Sequence, residues 1–478
     1  MLKNHITQKI RENLVVEPTN GQELLIEKWA EFVVSPENEP VFLVKGFAGT
    51  GKTTMVNALV KTLDQFKIKS VLLAPTGRAA KVLSSYSGKP AFTIHKKIYR
   101  QKSSTDGFGA FSLDRNQNSG TFFIVDEASM ISNSSMEASA FGSGCLLNDL
   151  VEYVFGGSRC KLILIGDVAQ LPPVGLDVSP ALDTEELSGY LGLDVQGVML
   201  TDVVRQSEDS GILINATHLR EMLQTGEETY PQISTINYPD VHRVQGADLI
   251  EEINSAYDRY GMEETMVVSR SNKRANRFNQ GIRNMILYRE EEISSGDYLM
   301  VVKNNYFWSQ QVKEMDFIAN GDIVEVMRII RHVEMYGFRF AEVTVRFTDY
   351  KDVELDVMIL LDTLSIETAS LGYEQNRKLF DSVSQDYADI RSRKKRFEKV
   401  RNNEFFNALQ VKYAYAVTCH KAQGGQWDAV FVDQGYLTEE MLDREYFRWL
   451  YTAITRATKQ LYLVNFNPQF FPDEEELL

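Results

Sequence analysis

Three cysteines in 478 residues are too few for a disulfide framework. Cys145, Cys160 and Cys419 have no metal-ligand spacing, and their odd number suits buried thiols in a reducing compartment. Long hydrophobic runs are missing too: nothing approaches the roughly 20 apolar residues of a bilayer-crossing helix. The opening Met1-Leu2-Lys3-Asn4-His5 has no signal-peptide hydrophobic stretch. A cytoplasmic protein with no membrane partner is therefore expected. Internal repeats and low-complexity tracts are absent. Positive charge is scarce, with 51 Lys and Arg against 66 Asp and Glu and a net charge of −15. That balance argues against a nucleic-acid partner, because binding a polyanion rests on Lys and Arg contacts to phosphate. Local field outweighs the total, however. Lys273, Arg274 and Arg277 in 270–283, and Arg393, Lys394, Lys395, Arg396 and Lys399 in 391–401, make two strongly basic segments. Either one alone is equally well read as a solvated helix face.

What is present is an ordinary globular composition, 44% apolar and 24% charged, over a length that calls for three or four units. The most informative stretch is Gly46-Phe47-Ala48-Gly49-Thr50-Gly51-Lys52-Thr53, which fits the phosphate loop G-x-x-x-x-G-K-[ST]. The apolar strand Val41-Phe42-Leu43-Val44 leads into it and a helix follows. The glycines let backbone N–H groups turn around a polyphosphate, Lys52 reaches the outer phosphates, and the Thr53 hydroxyl suits Mg²⁺. A structural Gly-rich turn would leave Lys52 unexplained.

From about residue 20 to 200, short apolar strands alternate with helical stretches, the rhythm of a parallel sheet covered by helices. Strands are expected at 41–44, 71–74, 122–125 and 162–165. Residues 84–120, richer in Ser, Gly and Asn, read as a small insertion. A second α/β unit is expected from about 198, with strands near 266–269, 414–417, 429–432 and 461–464. Between them 298–361 alternates apolar and polar residues, with the turn Asn320-Gly321-Asp322, and predicts a small barrel or sheet. The segment 366–410 reads as charged and helical.

Phe122-Phe123-Ile124-Val125 ends in Asp126-Glu127. Behind a phosphate loop, such a pair supplies a carboxylate for Mg²⁺, Asp126, and one to orient and deprotonate the attacking water, Glu127. The next strand ends in Gly166-Asp167-Val168-Ala169-Gln170-Leu171-Pro172-Pro173-Val174-Gly175, which resembles motif III of superfamily 1 helicases. Other segments are similar to that family's motifs in order: Thr19-Asn20-Gly21-Gln22 to the Q motif, Leu73-Ala74-Pro75-Thr76-Gly77-Arg78 to motif Ia, Thr93-Ile94-His95 to the motif after it, and Val125-Asp126-Glu127-Ala128-Ser129-Met130 to motif II of the RecD/Dda/Pif branch. Leu200-Thr201-Asp202-Val203-Val204-Arg205-Gln206 resembles the segment whose arginine enters the ATP site. Tyr415-Ala416-Val417-Thr418-Cys419-His420 and Leu450-Tyr451-Thr452-Ala453-Ile454-Thr455-Arg456 resemble motifs V and VI.

The resemblance implies an α/β fold of two RecA-like P-loop NTPase domains, parallel sheets flanked by helices, with a small 1B insertion and an SH3-like β-barrel 2B insertion. The expected division is 1–198 for domain 1A, with 1B at about 86–120; 199–297 and 411–478 for 2A; and 298–410 for 2B. It implies an ATP-dependent 5′-to-3′ DNA helicase that uses ATP and Mg²⁺, acts as a monomer, and binds single-stranded and tailed duplex DNA. A translocase without duplex unwinding, an RNA-directed relative and a non-hydrolysing nucleotide platform are the alternatives. The implied catalytic set is Lys52, Asp126, Glu127, Gln170, Arg205 and Arg456. The nucleotide set is Gln22, Gly46, Gly49, Thr50, Gly51, Lys52, Thr53 and Thr54, with Thr53 and Asp126 on the metal. Pro75, Thr76, His95, Thr418 and His420 are the expected DNA contacts, and Phe108 and Phe111 a candidate strand-separating pin.

Overall fold

Strands that are apolar along their whole length need cover on both faces, and here they gather into two parallel sheets. The computed structural model describes residues 2–471 apart from 38, 102–110, 134–141, 204–209, 313–316 and 349–352. In chain order the strands of the first half are β1 Pro40–Gly46, β2 Ser70–Ala74, β3 Ala91–Thr93, β4 Tyr99–Gln101, β5 Phe111–Leu113, β6 Phe122–Val125, β7 Lys161–Gly166 and β8 Asp194–Leu200. The first sheet runs β3-β2-β6-β7-β1-β8 with every pair parallel. Strands β4 and β5 form a separate antiparallel hairpin. The first helices are α1 Leu2–Asn13, α2 Asn20–Val34, α3 Lys52–Gln65 and α4 Gly77–Ser87. Trp29 and Phe32 of α2 pack on Phe42 of β1. Among the described residues no helix is long and apolar enough to cross a membrane.

The second half contributes β9 Val241–Val244, β10 Thr265–Ser269, β11 Tyr298–Val301, β12 Ile323–Met335, β13 Phe338–Phe347, β14 Glu354–Leu360, β15 Leu409–Tyr413, β16 Ala416–Thr418, β17 Trp427–Asp433 and β18 Ala457–Val464. The second parallel sheet runs β16-β10-β17-β18-β9. Between β10 and β16 the chain builds a closed barrel, β11-β12-β13-β14-β15. Alternation along β13 explains both its faces: Ala341, Val343 and Val345 join the core that also holds Leu299, Val324 and Val411, whereas Phe338 and Phe340 point the other way. On that second face lie the helices Tyr373–Gln385 and Arg393–Arg401, through Leu379, Val383 and Val400. The charged segment is thus two helices laid on the barrel, the first amphipathic and the second anchored by Val400, and its basic residues Arg393, Lys394, Lys395 and Lys399 are exposed.

Three expected limits shift. Strand β8 pairs with β1 along its whole length, so the first unit runs through Leu200 and a boundary at 198 cuts a strand. Its interrupted pattern, Asp194-Val195-Gln196-Gly197, is that of a sheet edge. Strand β3 belongs to the first sheet, so only the hairpin from Tyr99 onward departs from it. Strand β15 pairs with β11 and β14, which makes 409–413 part of the barrel.

Barrel and second sheet are pinned together at Asp297, which is fully buried just before β11. Its carboxylate accepts from Arg283 Nε (3.0 Å) and Nη2 (3.1 Å), Arg289 Nη1 (2.7 Å), Tyr415 OH (2.8 Å) and the Ser294 N–H (2.7 Å). Removing one member of a buried charge cluster strands the others without compensation. Asp297→Ala is therefore expected to cost about 3 kcal/mol of stability, read as a lower urea midpoint, with Asp297→Asn intermediate. A midpoint unchanged from the parent protein would contradict this.

Candidate nucleotide cleft and nucleic-acid face

Strand β1 ends in a loop that only glycine can shape. Gly49 and Gly51 have φ of 76° and 78°, the left-handed region. At Gly46 a Cβ would lie 3.0 Å from Thr50 Oγ1 and 3.1 Å from Leu200 Cβ. Thr50 is buried and its hydroxyl donates to the Phe47 carbonyl at 2.8 Å, closing the loop on itself. Gly51 begins α3 without a side-chain cap, so the first N–H groups of that helix face outward as an anion site requires. Thr53 and Thr54 are exposed on its first turn. Lys52 Nζ donates to the Gly46 and Phe47 carbonyls (2.7 and 2.8 Å) and lies 4.0 Å from Asp167.

Gln22 has other partners than a base. Its Nε2 donates to the Thr50 carbonyl at 3.0 Å, and its Oε1 accepts from the Thr19 N–H at 3.1 Å as half of a capping box. It is buried and ties the start of α2 to the phosphate loop, so adenine reading by this amide is not part of the observed arrangement.

The acidic pair follows β6. Asp126 accepts from Tyr86 OH at 2.5 Å and from the Glu127 N–H at 2.9 Å. Burial and Asp126 push the ionisation of the Tyr86 phenol far up, and the Thr53 hydroxyl lies near the same phenol. Two hard oxygen donors from different segments therefore converge on one polar point, a donor set that fits Mg²⁺. Glu127 has φ of 54°, a strained conformation for a residue with a side chain and one that collects at functional sites. Burial raises its pKa, Asp126 and Asp167 add to the rise, and Arg456 and Lys52 oppose it.

Across the cleft stands the helix Arg444–Ile454 of the second unit. The Tyr451 hydroxyl donates to Asp167 at 2.6 Å and accepts from the Ala48 N–H of the phosphate loop at 2.8 Å. Thr452 Oγ1 accepts from the Leu171 N–H at 2.8 Å, and Gln423 Nε2 donates to the Leu171 carbonyl at 2.6 Å. Arg448 donates to the Asp177 carbonyl. Arg456, 2% exposed, is fixed by the Thr452 and Gly425 carbonyls and by Thr455 Oγ1, and its Nη1 lies 4.0 Å from Glu127. Gln170 is buried, and its Oε1 has no hydrogen-bond partner among the described residues. Lys52, Asp126, Glu127, Asp167 and Arg456 thus meet in one crevice between the two sheets. Arg205 lies outside the described residues.

Two further residues at the crevice carry no motif signal. Tyr86 is one. Arg220, on the helix Gly211–Thr225, is the other: its guanidinium stacks 4.6 Å from the centre of the Phe47 ring. Asp167 and Tyr451 fall within recognised segments, yet nothing in the spacing marks them as partners.

On the nucleic-acid side, Thr76 caps α4 by accepting from the Ala79 N–H at 3.2 Å, next to half-buried Pro75. The loop after Thr418 and His420 comes close, for a Cβ on Gly424 would lie 3.1 Å from Thr76 Oγ1. Thr418 precedes the short helix Cys419–Ala422. Burial lowers the His95 pKa to about 4 and lowers that of His420 as well. At neutral pH His95 is therefore uncharged, a hydrogen-bonding group and not a cation for phosphate. Phe111 does not fit the role of a pin. It is buried, with its ring 4.3 Å from Tyr306, which in turn contacts Phe317 at 5.2 Å, so it fastens the hairpin to the barrel segment. Phe108 lies outside the described residues.

Two family models match the chain, an AAA domain over residues 31–236 and a UvrD-like helicase C-terminal domain over 413–464. The chain is 25% identical to the ATP-dependent DNA helicase dda of Enterobacteria phage T4, over 88% of its own length and 93% of that protein's. It is 28% identical to the ATP-dependent RecD2 DNA helicase of Deinococcus radiodurans over 42% of this chain and 24% of the relative. An uncharacterised protein of Acanthamoeba polyphaga mimivirus is 22% identical, with 92% and 98% covered. A crystal structure of Pif1 helicase from Bacteroides with ADP-AlF3 and single-stranded DNA aligns over 97% of this chain and 96% of that one, at 15% identity and a TM-score of 0.48.

Proposed function

The chain belongs to the superfamily 1 helicases of the RecD, Dda and Pif type, and from that premise we propose that it is an ATP-dependent DNA helicase. It moves 5′ to 3′ along single-stranded DNA and separates tailed duplexes as a monomer. The observation that carries the reading is the meeting of Arg456 from one sheet with Glu127 from the other, beside Lys52 and Asp167.

In this reading ATP lies against the loop 46–54, where the uncapped start of α3 meets its phosphates. Lys52 leaves the carbonyls of Gly46 and Phe47 for the outer phosphate oxygens. Thr53 and Asp126 would hold Mg²⁺, which would supply charge neutralisation at the phosphates. Glu127 takes the proton of the attacking water, and its raised pKa makes it a better base than an exposed carboxylate. Arg456 supplies a pre-positioned charge for the equatorial oxygens as negative charge spreads over them, at little reorganisation because three protein oxygens already hold it. Gln170 brings a buried amide whose Oε1 accepts no hydrogen bond among the described residues. Arg205 is proposed as the second arginine.

Lys52 and Glu127 ride on the first sheet and Arg456 on the second, so turnover requires the cleft to be shut, and loss of the triphosphate favours opening. A DNA strand touching Thr76 on one side and Thr418 on the other feels each cycle. The test is strand displacement on 5′-tailed, 3′-tailed and blunt DNA and on RNA duplexes. Displacement of the 5′-tailed DNA alone, dependent on hydrolysable ATP, is expected. DNA-stimulated hydrolysis without displacement would replace the helicase with a translocase, and a preference for 3′ tails would reverse the polarity.

A further inference from the structure

Helix α4 touches the second unit, the barrel and the Asp126 carboxylate. At its start Thr76 and Ala79 meet the loop at Gly424 of the second unit. One residue into the helix, the Arg78 guanidinium donates to the Gln426 carbonyl at 2.7 Å and stacks 4.3 Å from the Trp427 ring centre. Lys81 donates to the Thr348 carbonyl of the barrel at 2.9 Å, and Gly77 abuts Asp322 of the barrel turn. At its other end Tyr86 places its hydroxyl on the Asp126 carboxylate, with the Thr53 hydroxyl as the phenol's other neighbour. The eight residue-to-residue rises from Arg78 to Tyr86 span about 12 Å of continuous helix. A short helix of this kind moves as a unit, because bending it breaks backbone hydrogen bonds.

Resting on the helicase reading above, we infer that Tyr86 is a positioning residue for Asp126, through which α4 converts engagement of the nucleic-acid face into orientation of the catalytic carboxylates. Asp126 also accepts the Glu127 N–H, so turning its carboxylate turns the neighbouring strained residue. A displacement of the α4 start by a bound strand is felt at Asp126 as a pull on a single hydrogen bond. The phenol is half-buried and its ring packs with the core beneath α3, so deleting the hydroxyl leaves the packing in place.

The experiment is a double-mutant cycle on the full chain with Tyr86→Phe and Arg78→Ala, measured as steady-state ATP hydrolysis with and without a single-stranded oligonucleotide. Oligonucleotide affinity is read by fluorescence anisotropy, and affinity for a fluorescent ATP analogue is measured with and without the oligonucleotide. Tyr86→Phe is expected to lower the stimulated kcat about tenfold, to leave oligonucleotide affinity and the KM for ATP within about twofold, and to abolish any tightening of the ATP analogue by the oligonucleotide. Sites more than about 10 Å apart without shared partners act independently. If α4 links them, the combined loss in stimulation is smaller than the product of the single losses. Stimulation preserved in Tyr86→Phe, or strictly multiplicative losses, overturns the inference and leaves the helicase reading standing. If the unmodified protein is not stimulated by the oligonucleotide at all, it is the helicase reading that fails.

Discussion

Replacing Lys52 with alanine is expected to lower ATP turnover by about three orders of magnitude, because one pre-positioned charge on developing phosphoryl oxygens is worth roughly 10²- to 10³-fold or more in a water-poor site. The geometry supports an effect of that size. The ammonium group is held by two loop carbonyls within reach of Asp167, in a crevice closed from above by Tyr451. Part of the loss falls on binding, since the same group meets the ground-state phosphates. Phosphate release and the affinity for a fluorescent ATP analogue should both be measured, and kcat is expected to fall by more than affinity. The fold tolerates the change: Lys52 stands on the first turn of α3 toward the crevice and is not part of the core beneath the helix. Turnover within a few-fold of the parent protein would remove the phosphate loop from the chemistry.

Glu127→Gln is expected to behave differently. The amide keeps the size of the side chain and removes the ability to accept a proton, so turnover drops about 10²- to 10⁴-fold while ATP and oligonucleotide still bind. A trapped nucleotide-bound state that holds DNA is the expected product of mixing. The pH response provides a second check. Burial raises the folded pKa of Glu127, with Asp126 and Asp167 adding to the rise. The base is ionised only above that raised value, so the parent protein loses activity as pH falls through a range higher than an exposed glutamate would show. The residual rate of the variant should lack that limb. Wild-type turnover in Glu127→Gln would overturn the assignment of the base.

The phosphate loop and the acidic pair were legible in the sequence because each is local. Gly49 and Gly51 need no distant partner to demand glycine, and Asp126-Glu127 announces itself by ending an apolar strand. Residues whose meaning lies in a partner far along the chain were not legible. Gln22 looks like a base reader until Thr50, 28 positions away, takes its amide. Phe111 looks like a free wedge until Tyr306 covers it. Tyr86 is one aromatic among many on a helix, and only the fold sets it against Asp126. The edge strands β3, β8 and β9 were missed for the opposite reason: with one side unpaired they need no continuous apolar run, so the signal that revealed β1, β6 and β7 is absent from them. The barrel was visible through its period-two alternation, but its closing strand β15 lies about 50 residues after β14, beyond two helices that interrupt the pattern.

The chain leaves the second unit for the barrel at Asp297 and returns at Ala414, and the two crossing points touch. The Ala414 N–H donates to the Tyr298 carbonyl at 2.9 Å, and the Tyr298 N–H donates to the Tyr415 hydroxyl at 3.2 Å. A cassette whose entry and exit strands are hydrogen-bonded to each other makes little demand on its host's spacing. Whatever length or shape it takes, the flanking strands β10 and β16 stay in register, which leaves the barrel free to diversify while the sheet that hosts it stays the same.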